Sequence, residues 1–343
     1  MLLKKTLIGA ALVCVSLSSA TIAQAGETLT LRYNQWFPPT HWSQVDGLLK
    51  FFKQVEEATD GRVKIRPSAK PLAPPTRNYQ AVINGVADVA WGPHGYTPGA
   101  FPLSEMVEFP FDNLDAEKSS KAYWRTFNKY FKSSGMHEDV VTLAVHVTSG
   151  GNLHTKDKAI VTAEDMKGLK IRVQTPVVSS ALKNMDVIPI SGSLVELREF
   201  LSRGVIDGTA LSDELLTGFK VDKYINHVTQ IPGGLYSNSA FIIMNKDKWG
   251  LISKADQVAI MDLAGEKLSA RMGKLWDEND VKGRAALKAR LGDEYRVATP
   301  ELISSLKTVF APAREGWIGE AAKNGIDGQK AIEYYKSEIQ AMN

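Results

Sequence analysis

Apolar positions along this chain switch between two periods. Leu29, Leu31 and Tyr33 recur at every second residue, which predicts a strand over Thr28–Tyr33. Val45, Leu48, Leu49, Phe52 and Val55 then recur at helical spacing from Gln44 to Ala58, and Asp60-Gly61 ends that run. Val63-Lys-Ile65 is a second strand. Strand, helix and strand in that order predict a parallel α/β unit. Tyr79 to Gly85 closes another helix, and Asp88-Val-Ala-Trp91 is a third strand. The turn Gly92–Gly99 is expected to carry His94 and Tyr96 exposed at its top. Asp115 caps a helix to about Lys132, and Val140–Val147 is an apolar strand long enough to cross between domains.

The second half repeats the theme. Thr162 caps a short helix with Glu164 and Asp165 in its first turn, and Gly168 ends it. Leu169, Ile171 and Val173 alternate with Lys170, Arg172 and Gln174, and Pro176 stops this strand and opens the next helix. Val178–Met185 is helical and Val187–Ile190 extended. Ser193 and Glu196 form a capping box, followed by Leu197, Phe200 and Leu201 on one face. Val205–Gly208 reads as strand and turn, and Ser239–Met244 as another apolar strand. Ser253 to about Leu291 contains no proline and reads as one long helix, a candidate brace across two lobes. Thr299-Pro300 opens a C-terminal helix, and Asp327-Gly328 separates a last one.

Arg172 therefore falls near the C-terminal end of a strand, just before a strand-to-helix turn. Open α/β sheets bind ligands at that end of their strands. A guanidinium there can grip a carboxylate through two parallel charge-assisted bonds. The residues alone equally allow a surface arginine at a strand edge. The six histidines are scattered, without metal-ligand spacing, and there is no HExxH, GxGxxG, P-loop or GxSxG. No cofactor or metal is implied, and the expectation is a protein that is not an enzyme.

With 343 residues, 44% of them hydrophobic and 23% charged, the chain has the length of one large or two medium globular domains. Lys4 and Lys5, the apolar run Leu7–Leu17 and Ala23-Gln-Ala25 predict a secretory leader cleaved near Ala25, and so a periplasmic address. The only cysteine, Cys14, lies in that leader, so the mature chain has no disulfide or thiol chemistry. Losing Lys4 and Lys5 takes the 41 basic residues to 39, against 38 acidic. That balance points away from nucleic acid and anionic membrane surfaces. No stable membrane insertion is expected.

The pieces Ala87-Asp-Val-Ala-Trp91, Met166-Lys-Gly-Leu-Lys-Ile-Arg-Val173, Pro189-Ile-Ser-Gly-Ser-Leu-Val-Glu196 and Leu201-Ser-Arg-Gly-Val-Ile-Asp-Gly208, in this order, carry a resemblance. The chain closely resembles the solute-binding proteins of TRAP (tripartite ATP-independent periplasmic) transporters, in their dicarboxylate-binding branch. That resemblance implies an α/β, two-lobed periplasmic binding protein with an interlobe cleft and a long bracing helix. Residues 1–25 are then the leader, 26–147 the first part of lobe 1, and 148–236 lobe 2. Residues 237–343 supply the return strand of lobe 1, the brace and the C-terminal helices. The resemblance also implies a small-molecule carboxylate as ligand, TRAP membrane subunits as partners and a monomer. It puts the ligand carboxylate on Arg172. The other candidate contacts are Gln35, Trp36, Phe37, His94, Tyr96, Asn152, Gln174, Leu211, Ser212, Asp213 and Tyr236. Many relatives have an arginine where this chain has Asn152, and Glu-Asn where it has Ala210-Leu211. Those departures favour a monocarboxylate with an apolar or aromatic body. A C4-dicarboxylate binder, a secreted lyase or hydrolase on the same scaffold, and a ligand sensor for a membrane kinase remain the alternatives.

Overall fold

Two mixed β-sheets carry the helices in the computed structural model, which describes residues 28–112 and 115–342. The leader and Cys14 lie outside the described residues. The strands are β1 (Leu29–Tyr33), β2 (Val63–Pro67), β3 (Val89–Pro93), β4 (Val140–Val147), β5 (Asn152–Thr155), β6 (Lys170–Val173), β7 (Ile188–Ser191), β8 (Gly208–Leu211), β9 (His227–Gln230), β10 (Ser239–Asn245) and β11 (Tyr295–Val297). The first sheet runs β2-β1-β3-β10-β4 and the second β11-β9-β5-β8-β6-β7.

β1 and β2 pair in parallel through helix α1 (Leu49–Ala58), as the alternating periods predict. Phe51, Phe52 and Val55 bury one face of α1, but Val45 is 45% exposed. Residues Ser43–Leu48 form a wider π turn rather than α-helix, which rotates Val45 out of the apolar stripe. Strands β5, β9 and β11 carry no clear period-2 signal. The 205–208 stretch also differs from expectation, with the strand beginning at Gly208.

β4 does not itself cross between the sheets; it pairs with β10 to its last residue, Val147. The crossing is made by residues 148–151 and 231–238, which lie side by side. Thr148 N donates to Asn238 O (3.0 Å), and Gly151 N to Tyr236 O (2.8 Å). Two short adjacent ribbons thus join the lobes.

The expected single helix over 253–291 is broken. One helix covers Lys254–Leu263 and the next, Gly265–Leu291, has 27 residues. Gly265 has φ +56°, and a Cβ there would stand 3.0 Å from the Trp124 ring. The break needs a residue that tolerates both. The long helix does brace both lobes, through two aspartates. Asp277 accepts from Ala116 N and Glu117 N (3.0 Å each), at the start of helix α2 (Ala116–Thr126). Asp280 accepts from Asp213 N (3.0 Å) and Glu214 N (3.4 Å), at the start of Asp213–Gly218. Each carboxyl meets the positive end of a helix. The C-terminal third serves both sheets: β11 edges the second, and helix Pro300–Lys323 packs Leu302, Leu306 and Phe310 into one core and Trp317 and Ala321 into the other.

Candidate functional site

Arg172 is fully buried on β6. Its register partner on β8 is Thr209, whose partner on β5 is His154, so these three side chains share one face of the sheet. Arg172 Nε donates to Gly192 O (3.0 Å), at the end of β7. Its Nη2 donates to the Tyr96 hydroxyl (3.2 Å) and to Gln174 Oε1 (3.4 Å). Its Nη1 has no protein partner although it is buried. A guanidinium held out of water with one nitrogen unpaired costs several kcal/mol unless an anion completes it. The first sheet supplies Tyr96, and the second supplies Arg172 and Leu194. The Tyr96 hydroxyl accepts both from Arg172 and from Leu194 N (2.7 Å), which leaves its own proton to donate. Tyr96 was expected to be exposed and is instead a buried contact between the two lobes. A cavity of about 610 Å³ beside Tyr96, Gln174, Gly192 and Ser193 opens this corner to solvent.

Aromatic rings continue from Tyr96. Trp36 stacks on Trp91 with centroids 5.3 Å apart and planes 17° apart, and its Nε1 donates to Trp91 O (2.9 Å). Phe37 meets Trp91 edge-on at 4.8 Å and Phe219, from the other lobe, at 5.0 Å. Trp91 Nε1 donates to His146 Nε2 (2.8 Å). That bond needs a neutral imidazole, and burial holds the His146 pKa down at about 4. Leu211 is fully buried and belongs to the same core cluster as these rings. Beyond Phe37, His41 Nε2 lies 3.3 Å from Glu214 Oε2, which also accepts from Trp42 Nε1 (2.8 Å). Tyr236 donates its hydroxyl to Ala210 O (2.8 Å), and its ring lies so close over Gly151 that a Cβ there would come within 2.4 Å. Gln35 is buried, and its N–H donates to Ser68 (3.2 Å).

Three expected contacts lie elsewhere. Asn152 and Asp213 bond to each other and are used up in a buried polar network. Asn152 Nδ2 donates to Asp213 Oδ1 (2.9 Å) and its Oδ1 accepts from Ile231 N (2.9 Å). Asp213 also holds His154 (2.8 Å) and the Tyr295 hydroxyl (2.5 Å). Burial works to raise the Asp213 pKa, but the hydrogen bonds and charge of His154, with Tyr295 and Asn152, bring it below the usual carboxylate range. Burial, then the charge of Asp213, pushes the nearby Asp280 up to about 7. His94 is not at the top of an exposed turn. It is buried against His137 (Nε2 to Nε2, 3.1 Å) among Phe101 and Phe241, and burial holds its pKa well below the ordinary value. Ser212 stands at the N-cap position of Asp213–Gly218 without a side-chain capping bond and is buried, with its hydroxyl unpartnered.

The sequence reading missed Trp91, Phe219, His41, Glu214 and the Gly192 carbonyl. One signal was available: Glu214 follows the C-terminal end of β8 by three residues, and Trp91 lies within β3, two residues from its C-terminal end. Among the described residues, the arginines with a buried, unpartnered nitrogen are Arg172 and the partly exposed Arg284, and Arg284 pairs with Asp280 (2.6 Å). Arg172 is thus the buried cation left to take an anion.

Residues 36–318 match the sequence profile of the bacterial extracellular solute-binding proteins, family 7 (DctP). A TRAP periplasmic solute-binding protein from Bordetella bronchiseptica, solved with (R)- and (S)-mandelate bound, is 33% identical, with a TM-score of 0.88 over 92% of this chain and all of that one. A TRAP solute-binding protein from Rhodoferax ferrireducens, solved with copurified benzoate, is 28% identical, with a TM-score of 0.84 over 92% of this chain and 98% of that one. A Comamonas testosteroni protein named outer membrane transporter protein TsaT is 27% identical over 95% of this chain and 96% of its own length. No helix among the described residues is long and apolar enough to cross a membrane.

Proposed function

The chain belongs to family 7 of the bacterial extracellular solute-binding proteins, those of TRAP transporters, and from that premise we propose that it captures an aromatic monocarboxylate on Arg172. The observation that carries this reading is the buried, unpartnered Arg172 Nη1, on a guanidinium whose partners Tyr96, Gln174 and Gly192 line a cavity of about 610 Å³. The ligand carboxylate takes Nη1, with the Tyr96 hydroxyl free to donate a second bond. The ligand body lies along Trp36, Phe37, Trp91 and Phe219. Burying a ring of about 150 Å² at about 25 cal/mol/Å² contributes roughly 4 kcal/mol. A second carboxylate among those rings would lose its hydration without gaining a counter-charge, at a cost of several kcal/mol. The mandelate and benzoate found in the two relatives support the same class of ligand.

The preference for one carboxylate therefore stands on the aromatic wall and Leu211. Asn152 contributes nothing to it, because both ends of its amide are engaged. Lobe 1 is built on the first sheet and lobe 2 on the second, and the ribbons 148–151 and 231–238 act as the hinge. Closure brings Tyr96 and Phe37 of lobe 1 onto Arg172 and Phe219 of lobe 2, and the closed form delivers its ligand to TRAP membrane subunits. The protein works as a periplasmic monomer, after cleavage near Ala25, and leaves its ligand unchanged. Calorimetry with benzoate, phenylacetate and mandelate against succinate and malate tests the reading. The aromatic monocarboxylates should bind at least tenfold more tightly. Tight binding of the dicarboxylates alone would overturn it.

A further inference from the structure

Helix Pro176–Lys183 of lobe 2 begins two residues after Gln174, which holds the Arg172 guanidinium. Its Pro176 and Ser180 line the cavity beside Arg172 and also a second cavity of about 340 Å³. Lobe 1 contributes Glu105 to that second cavity, and helix Pro300–Lys323 contributes Trp317 and Glu320. Pro176 and Glu105 also close a smaller pocket that holds Glu108 and His94, whose remaining walls come from residues 94–108. Two carboxyls of lobe 1 thus lie under one helix of lobe 2. Glu105 is half-buried and has no hydrogen bond or ion pair among the described residues. Glu108 is buried; its Oε1 accepts from Ser239 N (3.2 Å) and Oγ (2.6 Å), and its Oε2 has no partner.

The groups around these carboxyls supply no counter-charge. Among the described residues lining the two pockets, the other titratable side chains are His94 and Glu320. Burial holds His94 neutral, and Glu320 pairs with Lys323 (2.9 Å). On the same helix, Arg314 holds Asp112 (2.5 Å), and Lys307 lies over the Phe111 ring. Lys183, the cation of the covering helix, lines the Arg172 cavity instead. Tyr123 and Tyr236, near Glu108, are phenols that burial keeps neutral. A carboxyl shut away from water without a counter-charge keeps its proton. Burial, then the charge of Glu320, raises the Glu105 pKa to about 7, and burial raises that of Glu108 to about 8.

We propose that closing lobe 2 over Glu105 makes its carboxyl take up a proton, so that ligand capture is proton-linked, tighter in acid and weaker in alkali. The inference rests on the closure described above. When helix Pro176–Lys183 lifts away, Glu105 meets water and returns toward the ordinary carboxyl range. The closed form then holds a proton that the open form releases. That contribution to closure is complete below the ordinary range and is lost as pH rises through about 7. Glu108, enclosed by lobe 1 behind Glu105, keeps its proton in both forms over the same range. The ligand carboxylate is already ionised above about pH 5 and adds no dependence of its own.

Calorimetry with benzoate between pH 6 and pH 8 is the test. Wild-type affinity should be about tenfold weaker at pH 8, the span expected when one group near 7 loses its proton. At pH 6 the heats in phosphate and in bis-tris should differ by the uptake of close to one proton per ligand. Glu105→Gln should bind equally at both pH values and show no buffer dependence. Glu320→Gln, which removes the neighbouring charge and leaves Glu105 in place, should move the dependence to lower pH. Wild-type affinities within twofold across this range would overturn the inference and leave the Arg172 reading standing. A pH dependence that survives in Glu105→Gln would assign it to His41 and Glu214 across the cleft and overturn the inference too. Solution scattering without ligand makes the test independent of the ligand class. The wild-type radius of gyration should be larger at pH 8 than at pH 6 and that of Glu105→Gln unchanged; equal wild-type radii would count against the inference whatever the protein binds.

Discussion

Replacing Arg172 separates binding from folding. In the structure its side chain satisfies the Gly192 carbonyl at 3.0 Å and touches Tyr96 and Gln174. Arg172→Ala leaves that carbonyl unpaired, at a cost of about 1–3 kcal/mol. It also removes a buried charge with one empty nitrogen, whose burial itself costs several kcal/mol. The two nearly offset, so the melting temperature without ligand should move little. The bound state has no such compensation. Truncating one member of a buried charge pair typically costs about 2–5 kcal/mol, and at about 1.4 kcal/mol per tenfold the affinity should fall by roughly thirtyfold to several thousandfold. Arg172→Lys keeps the charge but cannot reach Gly192, Tyr96 and the ligand at once, so it too should bind at least about tenfold more weakly. Calorimetry gives the affinities, and thermal unfolding with and without saturating mandelate gives the stabilisation, which follows RT ln(1 + [L]/Kd). If both variants bind within threefold of wild type while keeping their circular dichroism, Arg172 does not hold the ligand.

Three other outcomes follow from the same geometry. Glu108 has its pKa raised by burial from 4.5 to about 8, so the folded chain holds a proton that the unfolded chain releases. Its contribution to stability is greatest below pH 4.5 and is lost as pH rises toward 8. Glu108→Gln, which keeps the Ser239 bonds, should flatten the fall in stability measured by urea unfolding between pH 5 and 8; an unchanged slope would refute the assignment. Asp213→Ala strips His154, Asn152 and Tyr295 of their shared acceptor and should cost about 3–5 kcal/mol in urea unfolding. Its ligand affinity should change less than that of Arg172→Ala, and the reverse ranking would return Asp213 to the binding site. Glu214→Ala removes the contact with Trp42 and His41 across the cleft. It should enlarge the ligand-free radius of gyration in solution scattering and weaken binding a few-fold by depopulating the closed state. An unchanged scattering profile would argue against that contact as a latch.

The parallel unit β1-α1-β2, the strand carrying Arg172, the helix cap at Thr162 and the capping box at Ser193 were legible in the sequence, because each depends on residues close along the chain. Apolar period and capping chemistry are local quantities. What went unread depends on distant partners. β5, β9 and β11 are extended because neighbouring strands satisfy their backbones, and each is too short to display a period of its own. The expected single helix over 253–291 breaks at Gly265 because Trp124, more than a hundred residues earlier, packs over it.

The same division holds at the site. The chain's own pattern made Arg172 a candidate for a ligand carboxylate, since a strand end before a turn is where open α/β sheets bind ligands, and left a surface arginine equally open. It could not say that Nη1 would be left free, because that depends on Gly192, Tyr96 and Gln174 taking the other donors. Asp213 stands just after the C-terminal end of β8, a position as good as that of Arg172 by the same rule, and Asn152 begins the antiparallel neighbour β5 at that same edge. Only folding brings His154, Tyr295 and the brace helix against them and closes them into a network of their own. A side chain's hydrogen-bonding capacity is written in its residue type, but its partners are chosen by the packing of the whole chain, and it is the unspent capacity that a ligand meets.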